Sequence, residues 1–205
     1  MPERNLLTVP DGISDTEAIF TEPLAAAYGI TEQVDIDKKT SVAVIGDGKL
    51  GILCAWSLAK KTERLFLVGK HQKKLKLAQR ENVEGVLLDN VDQHFRMYDI
   101  VVEATGSKSG FETALNLLKP RGKLVLKSTF HGMSEWPAWR VVVDEITVVG
   151  SRCGIFEPAL ELLNNTDIDV ESLVSAEFPI SRALEAIDEA GQRGVLKVVL
   201  DMGAG

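Results

Sequence analysis

Cysteine is scarce: the 205-residue chain has two, Cys54 and Cys153. Two cysteines cannot build a disulfide framework, and these lack paired zinc-ligand spacing, so a reducing compartment is the default. An excess of positive charge is also lacking. Thirty acidic side chains against 23 basic ones leave a net charge of −7, with no long basic face. That balance argues against a nucleic acid or an anionic membrane as partner. Long apolar runs are missing too, and none approaches the ~20 residues that span a bilayer. The opening stretch MPERNLLTVPDG carries charge and proline where a signal peptide needs an apolar core. There is no internal repeat and no low-complexity tract. The expectation is a cytoplasmic, soluble globular protein, 45% apolar and 26% charged, with one sizeable domain and appendages.

What the chain does have is a regular alternation of short aliphatic runs with amphipathic stretches. SVAVI (Ser41 to Ile45) suits a strand buried on both faces, and KLGILCAWSLAKK after it has apolar residues at helical spacing. LFLV (Leu65 to Val68), a weaker run near Val86, DIVVEA (Asp99 to Ala104), KLVLKS and ITVVGS (Ile146 to Ser151) complete six strands. A basic helix over about Gln72 to Arg80 and the helix GFETALNLLK lie between them, and Pro120-Arg121-Gly122 reads as a turn. Strands alternating with helices predict an α/β fold, a Rossmann-type doubly wound six-stranded parallel sheet over residues 41–154. The flanks, 1–40 and 155–205, read as separate elements. In the second, IFEPALELL is a helix, Ala176 to Phe178 a short strand, Ser181 the N-cap of another helix and LKVVL a last strand.

Gly46-Asp47-Gly48-Lys49-Leu50-Gly51 matches G-x-G-x-x-G between the first strand and its helix, which is the context a dinucleotide-binding loop requires. Gly46 makes the tight turn, Gly48 admits a pyrophosphate to the backbone, and Gly51 permits close helix–strand packing. The helix N-terminus offers unpaired N–H groups and partial positive charge to the phosphates. The alternatives are a plain strand-to-helix turn and a methyltransferase-type loop. An NAD site places an acid at the end of the second strand, about 20 residues past the loop, for the ribose 2′-hydroxyl. Here Val68-Gly69-Lys70-His71-Gln72-Lys73-Lys74 stands there instead. Gly69 removes the carboxylate, and Lys70, His71 and Lys74 supply donors and charge, so the sequence predicts NADP with NAD as the alternative. Thr105 and Gly106, after the fourth strand, are candidates for lining the adenine or ribose side.

These stretches, with VPDGISDTEAIFTEPLAAAYGI, ITVVGSRCG and the closing FPISRALEAIDEA…LKVVLDM, resemble the second half of zinc-dependent medium-chain dehydrogenases, over nearly the whole chain. The resemblance implies hydride transfer between a nicotinamide and a small alcohol or carbonyl substrate. It assigns Gly46, Gly48 and Gly51 to the pyrophosphate and Leu50 to a place behind the nicotinamide. Glu22, in TEPLA, is similar to the glutamate that polyol-type members place at the catalytic zinc. It also implies that the flanks are remnants of a GroES-like catalytic domain. The Cys and His-Glu pair that this domain contributes have no counterpart here, so zinc is expected only if a partner domain supplies the other ligands. His94 and His131 fall in expected loops, Cys54 on an apolar helix face, Cys153 in a loop, and Lys127 where many relatives have glycine. No catalytic residue is assigned. Two readings stay open: a piece of an oxidoreductase, split or truncated, and a catalytically inactive NADP-binding module. Trp136 and Trp139, expected to be exposed where the missing half would have packed, and the sixth-strand edge at Ile146 to Gly150 lead to the expectation of a homo-oligomer or a partner chain.

Overall fold

The computed structural model describes residues 2–3, 6–129, 137–165 and 168–203, so the expectations at His131 and Trp136 lie outside the described residues. The chain divides into two compact units, residues 22–156 and residues 1–21 with 157–205.

The larger unit is built on β1 (Val42–Ile45), β2 (Leu65–Gly69), β3 (Val83–Leu87), β4 (Tyr98–Glu103), β5 (Leu118–Leu126) and β6 (Thr147–Gly150), in the order β3-β2-β1-β4-β5-β6. Every pairing is parallel, and the order reverses between β1 and β4. This is the expected Rossmann-type doubly wound sheet. Ile45 pairs with both Val68 and Glu103, and Glu103 with Leu126, so the carboxyl ends of the central strands finish level.

β1 is buried along its whole length because helices cover the sheet. α4 (Lys49–Leu58) packs on β1 and β2, α5 (Gln72–Ala78) on β2 and β3, and α6 (Lys108–Leu117) on β1, β4 and β5. From Gly51 to Leu58 every residue of α4 is buried, so this helix is apolar all round instead of striped. Burying each large aliphatic side chain contributes about 1.5–3 kcal/mol. α2 (Thr21–Tyr28), α3 (Ile30–Gln33) and α7 (Ala138–Val143) complete this unit.

β5 corrects the expected turn at Pro120-Arg121-Gly122. The strand begins at Leu118, directly after α6, because Leu117 and Leu118 are both buried. Its pairing to β4 jumps from Tyr98↔Leu118 to Ile100↔Lys123, and Arg121 takes a φ of 65°, so the three residues form an irregularity within the strand.

In the smaller unit, β7 (Val174–Pro179) and β8 (Lys197–Asp201) pair in parallel and α9 (Ala183–Ala190) packs on both. α1 (Asp15–Ala18) opens with a reciprocal capping box between Ser14 and Glu17, and Ser14 Oγ also donates to Glu171 at 3.0 Å. α8 (Phe156–Asn165) precedes this sheet. The expected N-cap at Ser181 is not observed. Residues 180–182 form a single 3-10 turn, which moves the cap to Arg182, without a side-chain bond to the helix. Among the described residues, no helix is long and apolar enough to cross a membrane.

Candidate nucleotide-binding site

The reversal of strand order opens a cleft of about 280 Å³ at the carboxyl ends of β1, β2 and β4, lined by Gly46, Asp47, Gly48, Gly69, Lys70 and Thr105 among others. A crevice at that switch point is where doubly wound sheets take ligands.

Backbone crowding fixes the loop. Gly46 takes a φ of +118°, and a Cβ there would lie 2.8 Å from the Ala104 carbonyl oxygen. A Cβ on Gly51 would fall 1.8 Å from the Gly46 carbonyl oxygen, so α4 and the end of β1 meet at a distance only glycine allows. Gly48, the N-cap of α4, has open space where its Cβ would be. The helix start is thus bare and faces the cleft, with Lys49 and Leu50 half-buried in its first turn.

At the end of β2 the cationic residues divide. Lys70 is exposed and lines the cleft, His71 is exposed, and Lys74 is half-buried in the first turn of α5; neither His71 nor Lys74 is a lining residue, nor is Gly106 on the opposite side. Asp47 has a part that its place in the motif does not announce. Its carboxylate crosses from the glycine loop and accepts the Lys70 N–H at 2.8 Å, the His71 N–H at 2.7 Å and a bond with His71 Nδ1 at 2.9 Å.

The β4 side holds a second buried carboxylate that sequence reasoning missed. Glu103, 1% exposed, accepts from Thr105 N at 2.7 Å, from Thr105 Oγ1 at 2.5 Å and from Ser128 Oγ. Ser128 Oγ in turn accepts the Gly106 N–H at 2.8 Å, and Gly106 takes a left-handed φ of +67°. Ser107 caps α6 by accepting the Gly110 N–H, and Ser107, Ser109 and Thr113 add hydroxyls to the cleft. The run Gly106-Ser-Lys-Ser-Gly, opening a helix after a strand, was the available signal.

Beyond β5, Lys127 is 6% exposed and its ammonium donates to Ser151 Oγ at 3.1 Å and to the Arg152 carbonyl at 2.9 Å. Burial pushes its pKa down, opposed by Cys54, Cys153 and Glu22 when ionised. Cys54 is wholly buried and its thiol is pushed up to about 12 by desolvation, which makes it an inert core residue; Cys153 is exposed. Glu22 sits exposed in the first turn of α2. The loop after β6 clamps that helix: a Cβ on Gly154 would lie 2.0 Å from the Ala25 carbonyl oxygen. Among the described residues no three His, Cys, Asp or Glu side chains converge. One exposed carboxylate with a buried ammonium in its field does not by itself fit a zinc ion.

His94 belongs to a packing cluster. It shares a 2.5 Å bond with the Tyr98 hydroxyl and stacks on that ring at 5.9 Å.

The family profile of zinc-binding dehydrogenases matches residues 53–165, more than half of the 205. Sorbitol dehydrogenase of Halalkalibacterium halodurans is 26% identical over 97% of this chain and 62% of its own length. D-xylulose reductase A of Aspergillus oryzae is 26% identical over 92% of this chain and 58% of its own. The crystal structure of L-idonate 5-dehydrogenase from Escherichia coli superimposes with a TM-score of 0.85 at 24% identity, covering 95% of this chain and 60% of that one. A zinc-binding dehydrogenase from Sinorhizobium meliloti, solved with NADP, gives 0.87 at 20% identity, covering 98% and 64%. The chain therefore spans about three fifths of the length of these relatives.

Proposed function

Because the chain belongs to the zinc-binding dehydrogenase family, we propose that it is the NADP-binding part of an alcohol-dehydrogenase-like oxidoreductase acting on a small alcohol or carbonyl compound. The observation that carries this reading is the cleft itself. A helix N-terminus without a side-chain cap, a turn in which Gly46 and Gly48 leave the backbone open, and the cationic end of β2 meet at the reversal of strand order. The relative from S. meliloti binds NADP, and another Escherichia coli relative, with a TM-score of 0.87 at 19% identity, was solved with NADH.

When bound, the nicotinamide supplies the hydride chemistry. The chain's own residues bind and orient. Gly46, Gly48, Lys49 and Gly51 shape the α4 terminus that holds the pyrophosphate through main-chain N–H groups. Gly69, Lys70, His71 and Lys74 form the corner for the adenosine ribose and its phosphate. Thr105 lines the opposite wall, the turn through Gly106 behind it is set by Glu103 and Ser128, and Leu50 backs the nicotinamide half. Glu22 serves a zinc site only where another polypeptide segment contributes the remaining ligands. The second reading, a module that binds the dinucleotide without turnover, draws support from Lys127, whose buried cation opposes a metal beside Glu22. The cytoplasm is the proposed compartment, in keeping with two free cysteines.

Titrating the purified chain with NADPH and NADH by intrinsic fluorescence tests the proposal. NADPH is expected to bind more tightly, and a chain that binds neither dinucleotide overturns it. Alcohol-dependent NADPH formation with added zinc separates the two readings: turnover removes the second.

A further inference from the structure

The absence of an acid at the end of β2 is only apparent, because the phosphate loop delivers one. A Cβ on Gly69 would lie 2.5 Å from Asp47 Cβ and 2.6 Å from Asp47 Oδ2. The glycine leaves room for this carboxylate as well as for a ligand. Three donors hold it there: two main-chain N–H groups, of Lys70 and His71, and His71 Nδ1. All three bonds fall on Oδ2, so Oδ1 takes none of them. The side chain keeps 11% of its surface, and Asp47 is a lining residue of the cleft.

We infer that Asp47 is a cofactor-discriminating residue, a ribose-binding carboxylate relocated from the second strand to the glycine loop, which narrows the preference for a 2′-phosphate. The inference rests on the dinucleotide reading above. A 2′-phosphate entering this corner still meets Lys70, the cationic residue that lines it. The two N–H donors at the turn, however, are already taken by an anion, and a second anion beside it is repelled. A free 2′-hydroxyl meets the opposite situation, an acceptor held in place by charge-assisted bonds. The corner therefore combines a cationic rim, which suits NADP, with an anionic floor, which suits NAD.

Dissociation constants for NADPH and NADH, measured on the wild-type chain and on Asp47→Asn, test the inference. The wild-type preference for NADPH is expected to stay within about tenfold, and Asp47→Asn to widen it by about a further tenfold, the weight of one charge-assisted contact. Two results overturn it: an unmoved ratio in a variant whose circular dichroism melt shows it folded, or a wild-type ratio beyond about a hundredfold, which needs no variant to be read. Wild-type binding of neither dinucleotide is a separate outcome. It removes the dinucleotide reading itself, and this inference with it.

Discussion

Lys127 holds an ammonium in the interior with two oxygen acceptors, Ser151 Oγ and the Arg152 carbonyl. Burial lowers its pKa in the folded chain below the 10.5 of a free lysine. At a pH between those two values the unfolded chain keeps the proton that the folded chain has released, so stability rises with pH through that window. Below it, the buried charge is a cost that Lys127→Met removes. The stability advantage of Lys127→Met over wild type is therefore expected to shrink as pH climbs toward the free-lysine range. Urea denaturation of both proteins across that range reads the effect, and an advantage that stays flat contradicts it. At this scale the glycines were legible in the sequence, because the spacing of Gly46, Gly48 and Gly51 is local and its reason is backbone clearance. Asp47 was not. Its partners lie 23 and 24 residues away, and no spacing rule links a loop acid to a turn across two strands.

β4 and β5 are joined beyond their ladder by the Glu103 carboxylate, which ties the Thr105–Gly106 turn after one strand to Ser128 after the other. Hydrogen bonds to a charged group contribute about 1.5–3 kcal/mol, and an amide in that place both lowers acceptor strength and aims an NH2 at a donor. Glu103→Gln is accordingly expected to lose about 1.5–3 kcal/mol in chemical denaturation. A loss near zero would show that these contacts are not worth what their burial suggests. The elements themselves were mostly readable, because β1, β2 and β4 are short apolar runs buried on both faces. β5 was misjudged at its start: proline and glycine signal a turn, but the chain leaves α6 without a linker and the apolar pair Leu117–Leu118 is pulled into the core. The Ser181 cap failed for a related reason. A serine two residues before a helix is equally suited to the short 3-10 turn that precedes α9 here.

For the whole molecule, exposed apolar surface is the feature that bears on behaviour in solution. In the larger unit, Trp139, Val142 and Val143 are 67%, 77% and 69% exposed on α7, and β6 is the outermost strand of the sheet. Exposed apolar side chains and an unpaired strand edge each favour association. We propose that copies of the chain associate there. Light scattering after size exclusion is expected to show a species larger than a monomer that a Val142→Lys, Val143→Lys double variant reduces. A wild-type chain that stays monomeric at high concentration counts against it.

The interlocked contact between Gly51 and the carbonyl of Gly46 has a kinetic meaning as well. A turn wedged against its own helix, on a helix buried along eight consecutive residues, has little freedom left to lose. Its amides are aimed before any visitor arrives, so docking at that point spends almost no ordering entropy. On the dinucleotide reading proposed above, recognition then begins at the diphosphate, met by a turn that is already ordered, with the two ends of the dinucleotide settling afterwards.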